Sequence, residues 1–273
     1  MTAAAQWAEA LQEWAIPEEI LASAPESPWD FPVDVFVDIA KHALVDPSTP
    51  THHRITEALP DGGVLLDVGS GAGAASLPIA QPACRIIAVD QDRQMLGALA
   101  DLATGRASVD LVEGRWPDVA DLVGEVDVAV CANVAYNVAD LGSFVDALTA
   151  VARHRVVLEL SAVHPQSPLS PLWQHFWDLS RPTRPTADDA EAVVREATGV
   201  APGSERWTRS RSFMGEGGAK TIAWVRRRLC LSQEFDDKVA AALEELPELA
   251  PSAMATLWWP GQSRTSSQRC GSG

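Results

Sequence analysis

The chain has 273 residues, enough for one sizeable α/β domain with additions and thin for two independent ones. Hydrophobic residues make up 47% of it, which fits a globular core, and 37 acids against 21 Lys plus Arg leave a formal net charge of −16. That sign repels phosphate backbones at long range, so composition disfavours RNA or DNA as a substrate unless a local basic patch overrides the total.

Residues 1–60 read as a helical leader. Ala8, Leu11, Trp14 and Ala15 recur at helical spacing, and Pro17 ends the run. Phe31 to Leu44 continues with Val35, Ile39 and Leu44 on one face, and a helix from about Thr51 to Leu59 should feed the first strand. The opening, from Met1 to Glu9, carries an acid and no basic stretch, which is not the pattern of a secretory signal. No apolar run is long enough for a membrane span, so a cytoplasmic setting is expected.

Residues 62–160 alternate strand and helix, as a parallel sheet requires. Strands are expected near 63–67, 85–90, 108–113, 126–132 and 155–160. The stretch Val64-Leu-Leu-Asp67-Val-Gly69-Ser70-Gly71-Ala-Gly73 runs a buried strand into three glycines at alternate positions, and an apolar helical pattern follows from Ala74 to about Ala80. A second strand, Arg85 to Asp90, ends in an acid placed to accept hydrogen bonds from ribose hydroxyls. Strand, glycine turn, helix, strand and acid together describe a pocket for a nucleoside-containing cofactor. Gly69-x-Gly71-x-x-Ala74 also satisfies the dinucleotide fingerprint, with Asp90 at the spacing NAD requires. Asp67 stands where a dinucleotide strand usually carries an apolar residue, and Gly73 completes a D-x-G-x-G-x-G pattern instead.

In that form the segment resembles the first motif of the class I S-adenosylmethionine-dependent methyltransferases. The resemblance continues in order through Ala88-Val-Asp90-Gln91, Val112-Glu-Gly-Arg115-Trp116-Pro-Asp118, Asp127-Val-Ala-Val-Cys-Ala-Asn133 and Arg155-Val-Val-Leu-Glu-Leu160, covering roughly 62–160. It implies a Rossmann-like, mostly parallel seven-stranded α/β sheet with helices on both faces, in the order 3-2-1-4-5-7-6 with the last strand antiparallel. It also implies S-adenosyl-L-methionine as cofactor. Asp67, Gly69, Ser70, Gly71 and Gly73 would lie around its methionine part, Asp90 and Gln91 at the ribose, Arg115 and Trp116 beside the adenine, and Asn133 near cofactor or acceptor. Many members carry an acid directly after the glycine of the third segment, where this chain has Arg115. Its side chain cannot accept a hydrogen bond, which leaves the adenine amine to Asp118 or a backbone carbonyl.

After the fifth strand, Ser161 to Trp177 combines prolines and aromatics, and ligands of open α/β sheets bind outside the carboxyl ends of strands. Residues 161–200 are therefore expected to cap the acceptor, within a cofactor-binding domain spanning 61–261. In the family, leaders such as 1–60 often join a substrate lid; a packing appendage is the other reading. Thr186-Ala-Asp-Asp189 opens a helix in capping-box form, and Gly199 can end it. Glu205 to Arg211 reads as an exposed strand, Thr221 to Leu229 and Ser232 to Leu246 as helices, and Met254 to Trp259 as the final strand. Residues 262–273 are expected to be a disordered tail.

Candidate chemistry is sparse because methyl transfer needs mainly alignment and exclusion of water. Tyr136, His164 and His175 are candidate bases on loops at the right end of the sheet, and Glu159 is near the end of the fifth strand. Cys84, Cys131, Cys230 and Cys270 are widely spaced, without C-x-x-C, and those on strands read as core residues. His52-His53 has no acids at ligand spacing, so no metal site is assigned. Arg226-Arg227-Arg228 reads either as a solvated face or as a contact for an anionic acceptor. The fourth strand lacks the Asn/Asp-Pro-Pro-Tyr/Phe signature of enzymes that methylate planar amines of nucleic acids. The expectation is an enzyme transferring a methyl group in line to a small-molecule acceptor. An RNA or protein acceptor, or a binding protein without transfer activity, are the alternatives.

Overall fold

The computed structural model describes residues 1–29, 32–80, 84–209, 218–245 and 252–262. Four helices lead: α1 (Ala3–Gln12), α2 (Glu18–Ser23), α3 (Val33–Val45) and α4 (Pro50–Thr56). Strands β1 (Val64–Val68) and β2 (Arg85–Asp90) follow, then α5 (Arg93–Ala103), β3 (Ser108–Glu113), α6 (Ala120–Val123) and β4 (Val126–Ala132). Next come α7 (Leu141–Val151), β5 (Ala152–Ser161), α8 (Ser170–Trp177), α9 (Ala187–Thr198), β6 (Gly203–Arg209), α10 (Ala219–Arg228), α11 (Asp236–Glu245) and β7 (Ser252–Pro260).

The seven strands form one sheet in the order β3-β2-β1-β4-β5-β7-β6, and β7 alone runs antiparallel to its neighbours. The order is the one expected from the resemblance. Strand side chains alternate between faces, so Leu65 and Leu66 enter opposite layers. Leu66, Ile87, Ala129 and Val156 meet Trp7 of α1, Phe144 and Leu148 of α7, and Val193 and Val194 of α9. Leu65, Val128, Val130 and Val157 meet Ile55 of α4, while Ile86 and Ala88 meet Leu96 and Leu99 of α5. Burial on both faces explains why the central strands are almost continuously apolar.

The run Ala74 to Ala80 departs from expectation. It turns, then makes only a 3-10 segment over Leu77–Ile79. Pro78 lies inside it and removes a backbone donor, so no full helix propagates. The capping box at Thr186 and Asp189 is present, and Gly199 closes α9 with φ of 70°.

The cap is also assembled differently. Helix α9, within the residues 161–200 expected as a cap, packs on α7 and α1 in the main core. A second, smaller core instead joins Ile16 of the leader, Leu169, Leu172 and Trp173 at α8, and Val225, Leu229 and Val239 of α10 and α11. Arg226 and Arg228 belong to this layer at 4% and 3% exposure, so the solvated-face reading of the triple arginine does not hold for them. The residues expected as a disordered tail lie, from 263 onward, outside the described residues, as do Phe31, residues 210 and 211, Leu246 and Cys270. Cys84, Cys131 and Cys230 are buried and free. Among the described residues no helix is long and apolar enough to cross a membrane.

Candidate functional site

A cleft of about 2920 Å³ opens at the carboxyl ends of β1, β2, β4 and β5, with walls from the leader, the segment after β5, and α10. Pockets for one small ligand are typically about 300–1,000 Å³, so there is room for two. Of the residues singled out from sequence, Asp67, Gly69, Ser70, Gly71, Asp90, Gln91, Arg115, Trp116, Asn133, Tyr136 and His164 line it. Gly73, Asp118 and His175 do not.

The glycine turn divides its work. At Gly69, φ is 68° and a Cβ would stand 2.2 Å from a Val134 methyl carbon, so glycine lets the β1 turn pass against the β4 loop. Gly73 has φ of 87°, and its missing Cβ makes room for Leu77 and Leu99, which is a packing role. The Asp90 carboxylate accepts from Gly71 N at 2.8 Å and from Asp92 N at 2.9 Å, clasping the turn to the end of β2. A carboxylate has about four lone-pair sites, so acceptor capacity remains toward the cleft.

Asp67, next to last in β1, is 1% exposed, and among the described residues its buried Oδ2 has no hydrogen-bond partner. Burial raises its pKa to about 7, with the Ser76 hydroxyl opposing and the charges of Asp90 and Glu159 adding to the rise. The Trp116 indole N–H is likewise buried without a partner. Buried polar groups are normally satisfied, so an orphaned acceptor and an orphaned donor beside one cleft are what a polar ligand would satisfy.

At the end of β5, Glu159 collects three elements. Thr51 of α4 donates to Oε2 at 2.6 Å, Asn133 Nδ2 donates to Oε1 at 2.9 Å, and Arg209 of β6 donates to Oε1. Burial works to raise the Glu159 pKa, and Arg209, Thr51 and Asn133 outweigh it and hold the carboxyl below its ordinary value. Asn133 takes φ of 62°, and its N–H donates to Glu159 O at 2.8 Å. Asn is one of the residue types that tolerate this left-handed conformation.

None of the three candidate bases is set up as one. The Tyr136 hydroxyl donates to Ser161 O at 2.9 Å, burial pushes its pKa up, and its ring stacks on Trp7 at 5.4 Å. His164 stacks on Trp14 at 3.8 Å and accepts from Gln166 N through Nδ1 at 3.2 Å, which assigns its proton to Nε2. Burial and then the nearby Arg181 charge lower its pKa to about 3. His175 sits on α8 against Phe176, away from the cleft. His52 lines the cleft as a neutral side chain, lowered by burial, joining Thr49 Oγ1 at 2.9 Å to Ala74 O at 3.0 Å. Among the described residues no three metal-ligating side chains gather.

Sequence reasoning missed Arg209, Thr51, Thr256 and Arg181. A signal existed for one: Glu205, Trp207 and Arg209 alternate along β6 and share a face, contacting Arg54, Thr256 and Glu159 respectively. Nothing local marked the others.

Residues 66–158 match the family model described as a methyltransferase domain. A ribosomal RNA small subunit methyltransferase A of Xanthobacter autotrophicus is 36% identical over 85 residues, 30% of each chain. A probable enzyme of that name from Pyrobaculum aerophilum is 28% identical over 34% of this chain and 41% of its own. The chain thus matches about a third of the length of these curated relatives. Among solved structures, the YcgJ protein of Bacillus subtilis aligns with a TM-score of 0.52 at 15% identity, over 81% of this chain and 99% of that one. Magnesium protoporphyrin IX methyltransferase of Synechocystis, with S-adenosylhomocysteine bound, aligns with a TM-score of 0.50 at 13% identity, over 91% and 94%. These two likenesses are of fold.

Proposed function

We propose that this chain, a member of the class I S-adenosylmethionine-dependent methyltransferases through its residues 66–158, moves a methyl group onto a small molecule held between leader and cap. The observation that carries the reading is Asp67, a fully buried carboxylate with an unpartnered oxygen at the floor of a glycine-lined cleft. A buried acid of that kind suits a cationic ligand. When bound, S-adenosylmethionine supplies a methyl group already activated by positive sulfur. What remains for the protein is to align donor and acceptor and to displace water.

The chain's own groups divide accordingly. Asp67 faces the charged amino-acid end, Gly69, Ser70 and Gly71 border it, Asp90 and Gln91 take the ribose, and Arg115 and Trp116 flank the base. Asn133, oriented by Glu159, stands between the two halves of the cleft. Trp14, Trp173, Trp207 and Trp224 wall the acceptor half with flat apolar surface. No side chain is assigned as a general base, because Tyr136 and His164 are both committed to packing and hydrogen bonding. The three described free cysteines fit a cytoplasmic setting.

RNA is the second reading, favoured by the names of the partial relatives. A net charge of −16 argues against it, because nucleic-acid affinity comes largely from Lys and Arg neutralising phosphates. Calorimetry with S-adenosylmethionine, S-adenosylhomocysteine and NADH tests the donor: the first two bind in the micromolar range and NADH does not. A labelled-methyl assay on metabolite, RNA and protein fractions then tests the acceptor. Label in the metabolite fraction is expected; label confined to RNA overturns the small-molecule reading, and label in none overturns the enzyme.

A further inference from the structure

We infer that the acceptor half of the cleft takes a small molecule bearing an anionic group, carboxylate or phosphate, docked on the Arg181 guanidinium. This rests on the reading above and names the class of acceptor within it.

Arg181 lines the cleft half-buried, on the segment following α8. Among the described residues its guanidinium donates only to main-chain carbonyls, Nη1 to Ala15 O at 3.3 Å and Nη2 to Trp14 O. The buried Nε–H has no partner. Among the described residues no carboxylate lies within ion-pair distance of it. Two other cleft arginines are neutralised: Arg209 pairs with Glu159, and Arg226 with Glu26 and Asp236. A partly buried cation normally has a counterion, because desolvating an unpaired charge is costly. Burial accordingly lowers the Arg181 pKa, yet a guanidinium stays protonated in proteins.

The arginine is also fixed in place. Its guanidinium carbon sits 5.1 Å from the Trp14 ring and 5.2 Å from the Trp173 ring. Its main-chain bonds tie it to the end of the leader. Two of five N–H donors are used, which leaves donors over, and a planar guanidinium suits carboxylate or phosphate. A held fork loses less entropy on binding than a free side chain. Arg227 and Lys220 of α10 line the same cleft and pair with no carboxylate among the described residues, so the positive field extends along that wall. The adjoining indoles add flat apolar surface, which favours an acceptor with a planar ring beside its acidic group.

The test uses the full chain saturated with S-adenosylhomocysteine and reads tryptophan fluorescence. The probes are benzoate, 1-naphthoate and indole-3-acetate, their primary amides, and phenyl phosphate. At least one anionic probe is expected to bind tenfold or more tightly than its neutral counterpart. Arg181→Gln should erase that preference, Arg181→Lys should keep part of it, and Arg227→Gln should reduce it two- to threefold. S-adenosylhomocysteine affinity should stay within twofold in each variant, which also reports that the variant is folded. A preference for carboxylates alone, or one shared by phenyl phosphate, decides between the two anions. Equal binding of anions and amides, no binding of any anionic probe, or a preference that survives Arg181→Gln overturns the inference while leaving the donor reading intact. Loss of S-adenosylhomocysteine binding by the unaltered protein would instead sink the donor reading itself.

Discussion

Asp67 is the residue on which the proposed donor binding turns. Its carboxyl titrates near 7 in the fold against an ordinary 3.8, because burial disfavours the charge. The folded protein therefore holds a proton that the unfolded chain has released between those values. The sign follows: this group's contribution to stability falls as pH rises from about 4 to about 7 and is level above that. A cationic ligand against Asp67 reverses the preference and draws the proton off. S-adenosylmethionine should accordingly bind several-fold more weakly at pH 6 than at pH 7.5, with proton release in calorimetry. Asp67→Asn should bind weakly at both values without that step. A wild-type affinity flat across the range would separate Asp67 from the donor. The D-x-G-x-G-x-G spacing singled out this residue in sequence, and the fold buries it beside the cleft. Spacing did not separate the glycines, since the clash that Gly73 avoids comes from Leu77 and from Leu99 on another element.

Among elements, β5 is where leader and sheet are joined. Glu159 near its carboxyl end takes hydrogen bonds from α4, the β4 loop and β6, while Thr51 also meets Thr256 of β7 at 2.9 Å. Glu159→Ala strands the Arg209 charge and the Thr51 and Asn133 donors together. The cost should be about 3 kcal/mol, at the low end for a broken buried pair because Arg209 keeps 29% exposure. Glu159→Gln keeps one oxygen to accept from Asn133 and turns an N–H donor to the Thr51 hydroxyl oxygen, and should cost visibly less. Urea unfolding of both variants checks this, and equal losses would place the stabilisation in the charge alone. The depressed Glu159 pKa has the opposite sign to that of Asp67: its stabilisation is complete above its ordinary value and is lost as pH falls through the folded one. The strands were legible because both faces of a parallel sheet are buried and the apolar runs are unbroken. The helix expected after Gly73 was not, because Pro78 and tertiary packing override a short periodic run.

Over the whole molecule, the leader is structural as well as a wall of the site. Trp7 is fully buried, stacks on Tyr136, and donates to Val138 O at 2.8 Å. Trp7→Ala should cost about 3–5 kcal/mol, the usual range for a large aromatic deleted from a core. A lower urea midpoint at unchanged slope is the expected reading, and a loss under 1 kcal/mol would make α1 a detachable appendage. Charge is also distributed at this scale. Asp34, Asp38 and Asp46 line the cleft from the α3 side, near Asp67, Asp90 and Asp92, whereas Arg181, Lys220 and Arg227 line it from elements that follow β5. That division suits a cationic donor on one side and an anionic acceptor on the other.

The sequence alone determined the sheet, its strands and the glycine-lined end of the cleft. Those depend on local patterns: apolar runs of strand length, glycines at alternate positions, and an acid at a strand end. Only tertiary structure decided the opposite wall. There Trp14, Arg181 and Arg227 come from three separate stretches of chain, brought together by the small core around Leu172, Trp173 and Val225. Residues whose partners are over a hundred positions away leave no periodic trace, because their positions are set by packing and not by spacing along the chain.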